Sequence, residues 1–281
     1  MLYVNSLFHM IALIVFTVYA LLIFSFKGDP VRPFSAAAVF VRELWSSRKL
    51  LIHFSAMVSV LVFNKVEIAL ENGNQYGSDF TPFFYKLEGE FAVGLQRLFE
   101  NDVLTFGLGY FYLVVFPALM IVSIGLYTYE KRYKLFNAVC YAMMINYMIA
   151  IPFYFFFRVN EVHAFNPNVK FLLLDVFPSF ESEYRPLSDV DNCFPSLHTS
   201  LSVSMAVIAA RSGNRFWKTF TRISTAVIMF STIYLGIHWL TDMIAGLTLG
   251  YAASRLALRL SEGRQLFGGM EMERRNVDGK W

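Results

Sequence analysis

Two short stretches of this chain hold residue types that could do chemistry together. The first is Asp191-Asn192-Cys193-Phe194-Pro195-Ser196-Leu197-His198-Thr199-Ser200. Proline suits a first helical position and serine a cap, so Pro195 or Ser196 begins a helix whose first N–H groups are unbonded. Those groups and the helix dipole form an anion site at Ser196 and Leu197, with His198 beside it; phosphate is the natural occupant. The second stretch is Gly236-Ile237-His238-Trp239-Leu240-Thr241-Asp242. Four positions separate His238 from Asp242, so on a helix the two share a face. A carboxylate there accepts from one ring nitrogen and leaves the other free to attack or to take a proton.

The elements that must position these residues are apolar. Of 281 residues, 56% are hydrophobic and 16% charged, where a soluble domain carries about 25% charged. Mean hydropathy is +0.48. There is too little polar surface to cover this chain in water, so the class is integral membrane. A net charge of +3 is too small to imply nucleic acid. Cys140 and Cys193 make no disulfide framework.

Seven segments are long and apolar enough to span or come close: 2–26, 50–70, 103–127, 135–157, 196–212, 222–238 and 241–260. The first lacks a basic stretch before it and reads as a retained helix rather than a cleaved signal peptide. Loops 27–49, 128–134 and 211–222 and the tail from 255 hold eighteen of the 24 basic residues, and the positive-inside rule puts them in the cytoplasm. The tail, 261–281, is then cytoplasmic, while His198 and His238 meet at the opposite face. In the outer loops, 83–100 reads as one amphipathic helix lying in the interface.

Phe194-Pro195-Ser196-Leu197-His198 followed by His238-xxx-Asp242 resembles the type 2 phosphatidic acid phosphatase superfamily, most closely its inositol phosphorylceramide synthase-like branch. The resemblance covers residues 50–260, a six-helix catalytic core, and leaves 1–49 as an added helix and cytoplasmic loop. It implies an all-α membrane enzyme, a lipid phosphatase or phosphotransferase working without metal or cofactor. His238 is then the nucleophile that forms a phosphohistidine, Asp242 orients its ring, and His198 protonates the leaving oxygen. The implied substrate is a lipid phosphate, polyprenyl phosphate or phospholipid, with water or an alcohol such as inositol as acceptor.

The chain departs from the family pattern in two places. Thr232 stands where the third motif normally carries Arg, and the first motif, Lys-x6-Arg-Pro, is present only as Arg185-Pro186. Another cation must balance bound phosphate, and the guanidinium fork suits that task. Arg158, at the end of an apolar run, is the first choice, Arg185 the second and Lys170 the third.

Plainer roles remain for the same residues. His238 and Asp242 can staple two helices, and Arg158 or Arg185 can snorkel to the interface. Glu88 and Glu161 read as solvated loop acids, and His9, His53 and His163 as structural. His198, His238 and Asp242 are conceivable metal ligands, although no His-Glu-x-x-His spacing supports a metal. Ser196 lacks a Gly-x-Ser-x-Gly elbow for a nucleophile. A transporter with a midplane site and an inactive scaffold are the alternative classes.

Overall fold

In the computed structural model, residues 4–71 and 77–263 are described, so most of the tail expected to be cytoplasmic lies outside them. By sequence Asn64, Lys65 and Glu67 close the apolar segment 50–70 and belong in the interface; the side chains of Lys65 and Glu67 lie outside the description as well. Ser6 caps α1 (Leu7–Ser25) by accepting from the His9 N–H. Then come α2 (Arg32–Ser46) and α3 (Arg48–Glu71), followed by two short helices, α4 (Thr81–Glu88) and α5 (Phe91–Phe99). Asn101 caps the long helix α6 (Asp102–Tyr129), and α7 (Tyr133–Phe156) returns antiparallel to it. After a long connection lie α8 (Leu197–Ala209), α9 (Arg215–Tyr234) and α10 (Leu240–Ser261).

Helices thus stand at each of the seven apolar segments. Length and hydropathy qualify α1, α6 and α7 as membrane spans, and the pair α2–α3, bent by 104°, adds a fourth when taken as one. The remainder fall short for reasons visible in their packing. Helix α8 has only 13 residues. Helix α9 buries Thr221, Ser224, Thr225, Ser231 and Thr232 against its neighbours. Hydroxyls inside a bundle bond backbone carbonyls, as Thr225 does at Ser202 O, 2.9 Å; they lower hydropathy without facing lipid.

Two expectations need correction. Residues 27–49 are not simply a loop, because Pro33 opens α2 within the stretch. The single amphipathic helix expected over 83–100 is two helices, broken at Gly89, whose φ of +56° favours glycine.

The core sits where α6, α7 and α8 meet, with Val122, Leu126, Phe136, Val139 and Ile208 fully buried. Helices α8 and α10 approach most closely. A Cβ at Gly246 would stand 2.5 Å from Ser196 O, and one at Gly250 would stand 2.2 Å from Ser200 O. Small residues at four-residue spacing on both helices permit this backbone approach, and Ser204 Oγ donates to Gly250 O at 3.0 Å.

The connection between α7 and α8 folds back over the helix ends. Phe157–Arg158 pairs in parallel with Ser78–Asp79, and Val159 bridges Asn192.

Candidate active site

Serine 196 caps α8 as its residue type suggests, accepting from Thr199 N–H at 3.3 Å. Its own N–H donates to Asp242 O at 3.2 Å, which ties the start of α8 to the first turn of α10. Leu197 and His198 are the first two residues of α8. Their N–H groups precede any intrahelical acceptor, and both residues line the cavity described below.

His238 does not end α9, as the sequence suggests. That helix stops at Tyr234, and Gly236, with φ +81°, turns the chain into an extended link that carries His238. A Cβ at Gly236 would lie 2.5 Å from Lys170 O, so the link passes under the α7–α8 connection. His238 and Asp242 therefore meet across a helix start rather than along a helix face. His238 Nδ1 lies 3.5 Å from Asp242 Oδ2, while that oxygen accepts the Trp239 N–H at 3.0 Å.

Cys193, given no role by the sequence, stands nearer the ring. Its Sγ lies 3.1 Å from His238 Nδ1 and 3.2 Å from Ile237 O. With the thiol proton on Ile237 O, sulfur accepts from Nδ1–H. Nδ1 then faces Cys193 and Asp242, and the Nε2 lone pair is left for chemistry. Burial holds the Cys193 thiol well above its ordinary pKa, so it stays protonated at neutral pH. The nearest signal in the sequence was its place beside the Phe-Pro-Ser-Leu-His stretch.

His198 is packed by aromatics. Tyr112 stacks on its ring with centroids 4.0 Å apart and planes within 14°, and Phe116 lies at 4.2 Å. Both come from α6, where Phe111–Val115 forms a π-helical turn. Such turns re-aim side chains and often mark functional sites. The His198 and His238 ring centroids are 6.3 Å apart. They face one cavity of about 330 Å³, lined also by Asn64, Tyr147, Glu161, Tyr184, Ser188 and Asp189.

The cations expected to bind phosphate lie outside that lining. Arg185 forks onto Glu161 at 2.9 and 3.0 Å, also bonds Glu181, and lies over the rings of Phe171 and Phe180. Arg158 sits 3.5 Å from Asp191, and its buried Nε has no hydrogen-bond partner among the described residues. Lys170 pairs with Glu100 at 2.6 Å. Glu161 is not a solvated acid: it is 6% exposed, and burial raises its carboxyl pKa against the pull of Arg185. His163 is wedged against Phe171 and Glu161, and burial lowers its pKa to about 4.

Glu88 is not a solvated acid either. Its two carboxylate oxygens accept the Leu240 and Thr241 N–H groups, each at 2.6 Å, so α4 caps α10 from outside. Charge at a helix N-terminus is favourable and charge-assisted bonds are strong. Glu88→Ala is expected to lower stability by about 1–2 kcal/mol, read as a fall in the thermal unfolding midpoint in detergent. Glu88→Gln should lose less, since an amide oxygen still accepts one bond. An unchanged midpoint in the alanine variant would show the cap to be idle.

Cys193, His238 and Asp242 also offer one ligand atom each within 4.8 Å of one another. Thiolate, imidazole and carboxylate are donors that zinc accepts.

No curated protein matches this chain. A solved structure that it resembles, the crystal structure of Aquifex aeolicus LpxE, is 19% identical with a TM-score of 0.43, over 56% of this chain and 85% of that one. Residues 138–265, the stretch that carries Arg158, Arg185, His198, His238 and Asp242, match the model of the PAP2 superfamily.

Proposed function

We propose that the chain is a multi-pass membrane enzyme that transfers the phosphoryl group of a lipid phosphate or phosphodiester through a phosphohistidine. The observation that carries this reading is the meeting of His198 and His238 in one cavity, at ring centroids 6.3 Å apart, beside the open first turn of α8. Nε2 of His238 attacks phosphorus, and the bond from phosphorus to the ester oxygen breaks. His198 gives that oxygen its proton. Water or an alcohol then attacks the phosphohistidine, His198 takes the incoming proton, and the phosphorus–nitrogen bond breaks. Covalent capture divides one difficult displacement into two easier steps, and the N–H groups of Leu197 and His198 favour the charge on the phosphoryl oxygens. Ser196 holds that turn in place. Arg185, held by the cavity-lining Glu161, supplies positive charge at one remove, and Arg158 lies farther back beside Asp191.

Transfer to an alcohol, the reaction of the synthase-like branch, is supported by Ser188, Asp189 and Asn192, which line the same cavity. They offer a hydroxyl-rich acceptor such as inositol hydrogen-bond partners. In this reading the chain has seven spans, with α1 added to a six-helix core over 50–260, a non-cytoplasmic site and a cytoplasmic C-terminus. The position of both histidines at helix ends supports an enzyme at one face over a transporter, whose polar groups would lie at mid-helix.

The test is phosphate release from phosphatidate, prenyl phosphates and polyprenyl phosphates by purified protein, with and without inositol, in chelator. Release that survives the chelator and falls when inositol takes up the phosphoryl group is the expected result. Activity abolished by chelator and restored by zinc would move the chemistry to the Cys193–His238–Asp242 cluster. No turnover of any substrate would return the inactive scaffold.

A further inference from the structure

Leu61 is a wall of two cavities. One holds His198 and His238, and the other is an apolar cavity of about 480 Å³. Every residue around the second is apolar, and they come from α1, α2, α3, α6 and α7. The two cavities follow one another along the same helices. On α3 the lining runs from Asn64 and Leu61 at the site back to Phe54, and on α6 it runs from Tyr112 and Phe116 on to Ile124. At 1.5 Å of rise per residue that is about 10–12 Å of depth beyond the site. Val58 and Ile121 line the cavity and are 38% and 48% exposed, so it opens sideways between α3 and α6, where lipid would stand.

We propose that this cavity binds the hydrocarbon chain of the lipid whose phosphate reacts at His238; the inference rests on the phosphoryl-transfer reading above. An all-apolar pocket of this size matches those that bury most of a ligand's surface. Its side opening lets a lipid enter from the bilayer with its headgroup already level with the histidines. Much of the wall comes from α1, α2 and α3, outside the residues that match the PAP2 superfamily. Chain selection is thereby assigned to the N-terminal helices and chemistry to the rest. A second apolar hollow, lined by Gly107, Phe111, Val227 and Phe230, shares no residue with the site and takes no part.

Two glycines make the test clean. Gly125 lines the proposed chain cavity and Gly107 the idle hollow, and a Cβ at either meets nothing within 4 Å. Leucine at either position also favours a helix over glycine, so both variants are expected to fold, which an unchanged thermal midpoint in detergent checks. Gly125→Leu is expected to lower kcat/KM for a long-chain alkyl phosphate by roughly tenfold or more. A short-chain, water-soluble phosphate ester should be turned over as in the parent protein, and Gly107→Leu should alter neither. Equal loss for both chain lengths, no loss, or a loss in Gly107→Leu instead overturns the proposal. A readout without turnover separates this from failure of the reaction itself. A long-chain alkyl phosphate with a diazirine near its chain end is expected to label residues 54–61 and 117–125 on photolysis. Gly125→Leu should suppress that labelling. Labelling elsewhere overturns the chain site even if phosphate is released, and labelling here without any turnover keeps the site while sinking the reaction.

Discussion

His238→Ala is expected to abolish phosphoryl transfer, lowering kcat by about four orders of magnitude or more, as loss of a covalent nucleophile does elsewhere. Alanine removes a ring whose free nitrogen is fixed by partners on the other side, Cys193 Sγ at 3.1 Å and Asp242 Oδ2 at 3.5 Å. Quenched-flow trapping with radiolabelled substrate should find an acid-labile, base-stable phosphoenzyme in the parent protein and none in the variant. His198→Ala should slow the same reaction but still accumulate label when the leaving group is a good one, because it removes the proton donor and leaves the nucleophile. The double variant should be no worse than His238→Ala, since residues acting as a unit are not additive. A phosphoenzyme that persists in His238→Ala would place the nucleophile elsewhere and undo the mechanism.

The second large effect is structural. Gly250→Val puts a Cβ where the nearest atoms, at 2.2 to 2.8 Å, are all backbone of Ser200. Backbone cannot swing away as a side chain can, so α8 and α10 must part. The hydrogen bond from Ser204 to Gly250 O and the one from Ser196 N–H to Asp242 O would be strained together. The expected cost is about 3 kcal/mol or more, the upper end for overpacking. It would be read as a fall in the thermal midpoint together with loss of activity, because the same packing sets the distance between the histidines. Gly94→Val, at an exposed glycine on α5 with nothing within 4 Å, is the control and should leave both readings unchanged. An unaltered midpoint in Gly250→Val would mean that the close approach of the two helices is not maintained.

Local chemistry made part of this legible from the residues alone. A long apolar run needs no partner to be recognised, and helices stand at each of the seven runs. A serine ahead of an apolar stretch caps whatever helix follows, and Ser196 does so. His198, His238 and Asp242 stood out because polar groups are rare in such a chain. His198 and His238 line one cavity because α8 starts where the chain leaving α9 turns back, and Asp242 stands behind the His238 ring.

What the residues alone could not determine depends on contacts between segments distant in the chain. Glu88 and Glu161 look like surface acids in any window of sequence. They are bonded because α4 reaches the start of α10 and because the α7–α8 connection turns Arg185 inward. The length of α9 was misjudged because apolar residues continue past Tyr234, whereas Gly236 and the backbone of Lys170 decide where the helix stops. Cys193 takes its place beside His238 through a hydrogen bond to Ile237 O, 44 residues away. Helices at the apolar runs and the Ser196 cap were set by the sequence itself, because apolar solvation and backbone hydrogen bonding act within a few turns. Which acid meets which cation, which atoms hold the histidine ring and where the apolar cavity opens were decided only in the tertiary structure, because each is a distance across helices that no spacing along the chain encodes.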